Sequence, residues 1–256
     1  MNRKKEKCKV YFIGAGPGDP ELITVKGQRI IQSADLVLYA GSLVPKEVVS
    51  CVQPHARVMD SSSMTLAETH ALMVEAVRSG GLVARVHTGD PSLYGAIREQ
   101  MLLLDKEGIT YEVIPGVTAA FAAAALAKIS FTIPEKCQSL IFTRMEGRTK
   151  IPDKEKLESL ATHNTSMAIY LSASHVERLQ ERLLSGGYSP DTMVIVGHRV
   201  GWPDQVVVRT TLRGLADSVK ARGIRRQAVF LVLPGQEDST ATSRLYSKDF
   251  DHGFRK

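Results

Sequence analysis

Three short turns that contain glycine restrict the fold of this chain more than any other feature of its sequence. They read G-A-G-P-G-D at 14–19, T-G-D-P at 88–91 and P-G-V-T at 115–118. Each follows a run of apolar residues that has the length of a buried strand, and each precedes a helical pattern. In open α/β sheets, ligands bind beyond the carboxyl ends of the strands. The three turns therefore predict an α/β fold with one ligand site where three strands end.

Apolar runs alternate with helical patterns through most of the chain, as is typical of α/β structure. Predicted strands lie at 10–13, 36–40, 82–87, 111–114, 139–143, 167–171, 193–199, 205–210 and 227–233. Predicted helices lie at 20–34, 66–79, 94–107, 117–128, 154–162, 174–186 and 212–221. Asp19 is predicted to cap the first helix, with Pro20 at its first position.

The alternation breaks once, around 129–135. The chain has 256 residues, which is enough for two domains of ordinary size. The sequence therefore predicts an N-terminal α/β domain at 8–130, a C-terminal α/β domain at 137–234 and a polar tail at 235–256.

The composition indicates a soluble cytoplasmic protein without a structural metal. No apolar run approaches the roughly 20 residues that a membrane helix needs. The three cysteines lie far apart and form no C-x-x-C pair, and the seven histidines show no zinc-type spacing. We therefore expect no membrane contact, no disulfide framework and no metal held by the protein.

The net charge of +6 favours an anionic partner, either nucleic acid or a small polycarboxylate. Aromatic residues make up only 6% of the chain, and no basic run is interleaved with them. Stacking aromatics beside basic residues are what single-stranded nucleic acids require. The pattern therefore predicts no nucleic-acid partner, although a basic RNA-binding protein stays open as the alternative outside the enzyme class.

The first turn invites comparison with dinucleotide-binding enzymes, which it does not fit. Their fingerprint, G-x-G-x-x-G, needs a third glycine where this chain has Asp19, and an acidic residue at the end of the second strand. The second predicted strand instead runs into Ala40, Gly41 and Ser42. Two physical requirements for holding NAD or a flavin are therefore missing.

Taken together, the turns resemble those of the tetrapyrrole methylase family. The matching segments are G-A-G-P-G-D-P-E-L-I-T at 14–24, H-T-G-D-P at 87–91 and I-P-G-V-T at 114–118. In the second half, I-Y-L-S at 169–172 and R-R-Q-A at 225–228 agree with the same family. The resemblance covers about 8–233. It implies two α/β domains with mixed sheets, a cofactor site in the cleft between them, and a homodimer.

Finer motifs are T-R-M-E-G-R at 143–148, H-R-V-G-W-P-D at 198–204, R-T-T-L at 209–212 and S-R-L-Y at 243–246. Together they resemble one branch of the family, the precorrin-4 and cobalt-precorrin-4 C(11)-methyltransferases of cobalamin biosynthesis. The implied reaction is methyl transfer from S-adenosylmethionine to carbon 11 of the macrocycle. A methylase of the same pathway that acts at another ring carbon remains the nearest alternative.

The resemblance also implies which residues contact the methyl donor. They are Pro17, Gly89, Asp90, Leu93, Thr118, Ala119, Leu171 and Ala228. Asp90 is the candidate catalytic residue, because a carboxylate beside the donor can accept a proton or stabilise positive charge. Its structural alternative is a turn-forming aspartate before Pro91.

The implied substrate is a tetrapyrrole with several carboxylates, to which arginine side chains are well suited. Arg144 and Arg148, which flank Glu146 in the branch motif, are the candidate substrate-binding residues. For each arginine, a surface charge or a structural ion pair is the alternative.

Overall fold

The computed structural model of the protein describes residues 9–147, 149–236, 242–243 and 250. The chain divides into two compact units. The first extends to Ala119 and includes Gly201–Pro203, and the second comprises Ala120–Val200 and the chain from Asp204 onward.

The first unit is a parallel sheet with helices between its strands. Its elements are β1 (Val10–Gly14), α1 (Val25–Ser33), β2 (Leu36–Tyr39), β3 (Arg57–Asp60), α2 (Leu66–Arg78), β4 (Val83–His87), α3 (Ile97–Lys106) and β5 (Tyr111–Ile114). The strand order is β3-β2-β4-β1-β5, and each of these pairings is parallel. β2 and β4 are buried at every position, which is typical of parallel strands covered on both faces.

The second unit contains a mixed sheet. Its elements are α4 (Ala119–Ala127), which begins at the last residue of the first unit, β6 (Leu140–Arg144), α5 (Leu157–Ala161), β7 (Ser166–Tyr170), α6 (Val176–Ser185), β8 (Met193–His198), β9 (Val206–Thr211), α7 (Leu215–Lys220) and β10 (Ala228–Leu233). The strand order is β6-β7-β10-β8-β9, with β6 and β7 parallel and the other pairs antiparallel. The expected mixed pairing therefore occurs in the second sheet, whereas the first is parallel throughout.

The start of α1 differs from the prediction. Asp19 accepts a hydrogen bond from the backbone N–H of Glu21 at 2.9 Å, but it caps only a short 3-10 turn, Pro20–Leu22. The chain is then extended at Ile23, and α1 begins after Thr24, whose hydroxyl accepts from the Gly27 N–H at 3.1 Å. The prediction of one continuous helix was wrong because Thr24 provides a second N-cap five residues later.

The sequence pattern also missed β3. This strand lies at the edge of the first sheet and its side chains are largely exposed. An exposed edge strand needs no apolar alternation, so it leaves no periodic signal. Arg57 and Asp60 at its two ends are the charged residues that often protect such an edge from pairing with another chain.

The predicted domain boundary at 130–137 differs from the division between the compact units, which falls between Ala119 and Ala120. The reason is the close packing of α4 against the second sheet. A Cβ atom on Gly197 of β8 would lie 2.8 Å from the Ala123 Cβ. The Ala120 N–H donates to the Tyr170 hydroxyl at 3.1 Å. Small side chains on α4 permit this approach.

None of the helices in the described part of the chain combines the length and the apolar character that crossing a membrane requires.

The two N-caps at the start of α1 give a direct test of this local structure. We expect Thr24→Ala to lower the free energy of unfolding by about 1 kcal/mol, because the Gly27 N–H loses its acceptor. Asp19→Ala should cost less, since it removes the cap of a single turn. Ser33→Ala, at the exposed end of α1, is the matched control because its hydroxyl bonds only carbonyls of its own helix. Urea unfolding measures all three, and equal losses for Thr24→Ala and Ser33→Ala would contradict this assignment.

Candidate functional site

Three glycine residues meet at the carboxyl ends of β1, β4 and β5, which are neighbours in the first sheet. A Cβ atom added to Gly116 would lie 2.1 Å from the Gly89 carbonyl oxygen and 2.8 Å from the Gly14 Cα. One added to Gly14 would lie 2.6 Å from the Gly116 Cα. The three turns therefore lie against one another, and we call Gly14, Gly89 and Gly116 the glycine junction.

Backbone hydrogen bonds join the first two turns. The Gly89 N–H donates to the Gly16 carbonyl at 2.7 Å, and the Gly16 N–H donates back at 3.3 Å. Both residues have positive φ, at 74° for Gly16 and 59° for Gly89, which glycine adopts without steric cost. The reciprocal pair fixes these two turns as one backbone surface.

The Asp90 side chain joins the second turn to the third. Its Oδ2 accepts from the Gly116 N–H at 3.0 Å, and its Oδ1 accepts from the Ser92 N–H at 2.9 Å and from the Ser92 hydroxyl. Burial alone would raise the pKa of Asp90, but the hydrogen bonds from Ser92 and Gly116 together hold the pKa below its ordinary value. The carboxylate is therefore charged at neutral pH and both of its oxygens are engaged.

This geometry bears on the two roles considered for Asp90. A general base at neutral pH needs a pKa near 7, whereas the pKa of Asp90 is lowered from the carboxylate range. The hydrogen bonds favour the turn-forming role and leave the carboxylate suited to stabilising positive charge. That Asp90 takes part in the chemistry stays a prediction.

The other first-unit residues predicted to bind the donor lie around the glycine junction. Pro17 is buried in the first turn, Leu93 follows Asp90 in the second, and Thr118 immediately precedes α4. A Cβ atom on Gly89 would come within 3.7 Å of the Thr118 Cα, so the third turn lies against the second. Ala119 is the first residue of α4.

Residues of the H-R-V-G-W-P-D motif pack against the first turn. A Cβ atom on Gly18 would lie 2.6 Å from the Trp202 indole, and one on Gly201 would lie 3.1 Å from the Pro17 side chain. The segment Gly201–Pro203 accordingly belongs to the first unit, although it is distant in sequence. The Trp202 indole therefore packs on the first turn.

His87, at the end of β4, is not a candidate base. Burial, and secondarily the charge of Arg85, lowers the pKa of His87 to about 3. Its ring packs 6.0 Å from that of Phe12, measured between centroids. The imidazole is therefore neutral and part of the packing.

The two donor-binding residues predicted in the second unit lie at one end of its sheet. Leu171 directly follows β7, and Ala228 is the first residue of β10, which pairs antiparallel with β7, so both lie at the same end of the sheet. Leu171 is 67% exposed and has a left-handed φ of 54°. A non-glycine residue in this conformation carries backbone strain, and an exposed leucine there is an outlier of the kind found at ligand sites.

Arg144, one of the predicted substrate-binding residues, holds the backbone of its own loop. It lies at the end of β6, and its guanidinium donates to the carbonyls of Met145 at 3.4 Å, Thr149 at 3.3 Å and Lys150 at 3.1 Å. Arg148, the other arginine of the motif, lies outside the described residues. The structural alternative considered for Arg144 is therefore the one that its contacts support.

Glu146 makes ion pairs with α6. Its Oε1 contacts the guanidinium groups of Arg178 and Arg182. Burial opposes ionisation, but the Glu146 backbone N–H and the two arginines outweigh it and lower the pKa of Glu146. A carboxylate held in this way anchors the 145–150 loop to the helix.

Sequence reasoning missed several side chains that shape the site. Ser92 binds the Asp90 carboxylate, and the buried hydroxyl of Ser172 accepts from the Met145 N–H at 3.1 Å. A serine two residues after an aspartate is a recognisable turn signal, so Ser92 was within reach of the sequence. Ser172 carried no such signal, because its partner lies 27 residues away.

The chain is similar to tetrapyrrole methylases along most of its length. Residues 9–216 match the family model described as Tetrapyrrole (Corrin/Porphyrin) Methylases. The cobalt-precorrin-4 C(11)-methyltransferase of Priestia megaterium is 48% identical over 252 residues, which cover 97% of this chain and 98% of the relative.

Solved structures support the same fold. A cobalt precorrin-4 methyltransferase superimposes with a TM-score of 0.85 at 47% identity, covering 88% of this chain and 94% of the other. A uroporphyrin-III C-methyl transferase from Thermus thermophilus, solved in complex with S-adenyl homocysteine, gives 0.73 at 25% identity, covering 88% and 97%. The predicted two-domain α/β fold is confirmed. Among the described residues, no group of three or more His, Cys, Asp or Glu side chains is placed to hold a metal ion.

The glycine junction predicts a sharp difference between two glycine-to-alanine substitutions. We expect Gly116→Ala to lower the free energy of unfolding by about 3 kcal/mol or more, because the added methyl would overlap backbone atoms. Gly147→Ala is the matched control, since a Cβ atom there meets nothing within 4 Å. Urea unfolding of both variants measures the difference, and a Gly116→Ala protein as stable as Gly147→Ala would refute the junction.

The hydrogen bonds of Asp90 predict a dependence of stability on pH. In Asp90→Asn an amide can no longer accept from both Gly116 and Ser92 as a carboxylate does, so we expect a loss of about 1–2 kcal/mol at pH 7. The folded pKa lies below the unfolded value of about 3.9, so the contribution is full above that pH and is lost as pH falls through the folded pKa. The difference between the two proteins, measured by unfolding from pH 7 to pH 3, should therefore shrink in acid. Asp191→Asn, which removes an exposed ion pair with Arg213, is the control; a difference that stayed constant down to pH 3 would rule out this role for Asp90.

Proposed function

We propose that this chain, which belongs to the tetrapyrrole (corrin/porphyrin) methylases, methylates carbon 11 of precorrin-4 or of its cobalt complex in cobalamin biosynthesis. The observation that carries the proposal is the 48% identity with a cobalt-precorrin-4 C(11)-methyltransferase across 97% of this chain. The family uses S-adenosylmethionine, and a uroporphyrin-III C-methyl transferase of the same fold is solved in complex with S-adenyl homocysteine. The specificity for carbon 11 is inferred from the names of the similar proteins and from the branch motifs.

The first unit offers the donor a surface made mostly of backbone. At the glycine junction the three turns pack backbone to backbone, and the Asp90 carboxylate bridges the second and the third, so the surface that they form is mostly peptide. We assign donor contact to Pro17, Gly89, Leu93, Thr118 and Ala119. Their turns are fixed relative to one another by the Gly16–Gly89 backbone pair and by Asp90, which orders the surface before a ligand arrives.

Asp90 is proposed to act through its charge. S-adenosylmethionine supplies a methyl group on a sulfonium sulfur, and the acceptor macrocycle has electron-rich carbons, so the chain needs no serine or cysteine nucleophile. Its task is to align donor and acceptor, which accounts for a large part of such rate enhancements. A carboxylate ionised at neutral pH beside this alignment stabilises positive charge.

The second unit contributes two further proposed contacts, Leu171 and Ala228. The exposed, left-handed Leu171 supports the assignment, because a strained apolar residue at a strand end calls for a functional reason. The same end of this sheet carries Arg144, whose partner across the β6–β7 ladder is Tyr170.

We propose that the acceptor binds as a polycarboxylate. The net charge of +6 favours such a substrate. Arg144 and Arg148 remain the proposed substrate contacts, and Arg144 also holds its own loop through the carbonyls of Thr149 and Lys150. Glu146 is proposed to contribute through that loop, because its carboxylate is paired with Arg178 and Arg182.

Cobalt, where present, would belong to the macrocycle and not to the protein. The chain is proposed to work as a homodimer in the cytoplasm, as the family resemblance implies. Sedimentation or light scattering at micromolar concentration measures the oligomeric state.

The first measurement is titration calorimetry with S-adenosylhomocysteine. We expect saturable binding at about one site per chain, with affinity lowered at least tenfold in Asp90→Asn because the second and third turns separate. Gly147→Ala should bind as the parent does. A folded parent that binds no S-adenosylhomocysteine, yet is retained on RNA in a salt-sensitive way, would overturn the proposal in favour of an RNA-binding protein.

Product analysis then tests the position of methylation. Precorrin-4 and its cobalt complex are incubated with a donor whose methyl carbon is isotopically labelled, and the labelled carbon is located in the product by NMR. We expect the label on carbon 11 with at least one of the two substrates. A label on a different ring carbon would support another methylase of the same pathway.

A further inference from the structure

A buried arginine in the first sheet is surrounded by neutral partners. Arg85 of β4 is 8% exposed, and its guanidinium donates to Gln100 Oε1 at 3.0 Å, Ser61 Oγ at 2.7 Å and the Leu38 carbonyl at 3.4 Å. Among the described residues, no carboxylate lies within ion-pair distance of it. Burial lowers its pKa to about 10, so the side chain is still charged at neutral pH.

Gln100 connects this charge to the second turn. It is 4% exposed and lies on the apolar face of α3, in line with Ile97 and Leu104. Its Oε1 accepts from Arg85, and its Nε2 donates to the Ala96 carbonyl at 3.0 Å. A single side-chain amide therefore links the guanidinium to Ala96, the residue that precedes α3.

The segment between Gly89 and α3 is strained. Tyr94 and Ala96 have left-handed φ angles of 58° and 50°, which non-glycine residues rarely adopt. A Cβ atom on Gly95 would lie 2.2 Å from the Pro91 carbonyl oxygen, so the loop folds tightly on itself. Such a conformation persists only where the surroundings over-determine it.

We infer that Gln100 is a positioning residue, which holds the strained 89–96 loop in the conformation that binds the methyl donor. The Gln100 side chain is held in place by its hydrogen bond from the buried guanidinium of Arg85. It holds the loop through its hydrogen bond to the Ala96 carbonyl. The inference rests on the proposed function, because Gly89, Asp90 and Leu93 of this loop are among the proposed donor contacts. No described atom of Gln100 needs to touch the ligand for this role.

The requirement is for an amide and not for a carboxylate. A carboxylate at this position would pair with the Arg85 cation and relieve its lack of a counter-charge. It would have no hydrogen to donate to Ala96 and would place an oxygen against a carbonyl oxygen. If Gln100 positions the loop, Gln100→Glu should loosen the loop while the core stays at least as stable as in the parent. If its role is only structural, the loop and the core should change together.

The test uses the full chain and three variants. Gln100→Glu is the probe, Glu99→Gln makes the reverse exchange at the neighbouring exposed position, and the double variant restores the net charge. Each is measured for thermal unfolding, for hydrogen exchange of the 92–96 amides, and for S-adenosylhomocysteine affinity. In Gln100→Glu and in the double variant we expect an unchanged or higher unfolding temperature, at least tenfold faster loop exchange and about tenfold weaker binding. Glu99→Gln should match the parent in all three.

Two results would overturn the inference. One is Gln100→Glu with parental loop exchange and parental affinity. The other is a loss of affinity that tracks a fall in unfolding temperature while exchange stays normal in the loop. If the parent itself binds no S-adenosylhomocysteine, the proposed function fails, but the exchange measurement still decides whether Gln100 holds the loop.

A measurement on the unaltered chain covers the case in which Gln100→Glu does not fold. The Ser92 and Leu93 amides donate to Asp90, so their exchange reports opening of the loop. If Gln100 couples this loop to α3, these amides should exchange within about tenfold of the slowest amides of α3. Exchange more than about a thousandfold faster would show that the loop opens independently and would exclude the role.

Discussion

The close approach of Gly14, Gly89 and Gly116 is the constraint on which the first unit depends. Three adjacent strand ends can share one surface only because two of these residues have no Cβ atom to keep the chains apart. The hydrogen bonds that join the turns follow from this approach, since the Gly16–Gly89 pair and the Asp90–Gly116 bond both need the backbones in contact. The donor surface proposed for this methylase is a consequence of the same packing.

The charged residues of the motifs in the two units mainly organise loops of their own unit. Asp90 joins two turns by hydrogen bonds, and Arg144 donates hydrogen bonds to three backbone carbonyls. Glu146 forms ion pairs with Arg178 and Arg182, which connect its loop to α6. Each is a residue that a motif assigns to chemistry, and each makes polar contacts within the protein, although Glu146 Oε2 is buried without a hydrogen-bond partner among the described residues. A family of methylases that relies on alignment needs rigid turns more than reactive groups, and this distribution of charge is consistent with that need.

Much of the fold was predictable because its signals are local. β5 was predicted with its observed bounds, and the other long strands within one or two residues, since a buried strand is a short apolar run between turn residues. The split between the first 3-10 turn and α1 and the exposed strand β3 were missed. At α1, the N-cap at Thr24 starts the helix later than the apolar pattern predicts. At β3, the exposed edge position removes the apolar pattern altogether. The pairing of Glu146 with α6 and of Gln100 with Arg85 could not be read from periodicity, because each partner lies on another element.

By itself, the sequence determined the α/β class, the family and the three turns that build the candidate site. Turn chemistry and apolar spacing are properties of consecutive residues, so they are legible without a structure. Only the tertiary structure decided that α4 packs with the second unit, that Gly201–Pro203 lies on the first turn, and that Gln100 links Arg85 to the loop. These arrangements depend on atoms brought together from distant parts of the chain, and their free energy arises from packing and hydrogen bonding that no local pattern records.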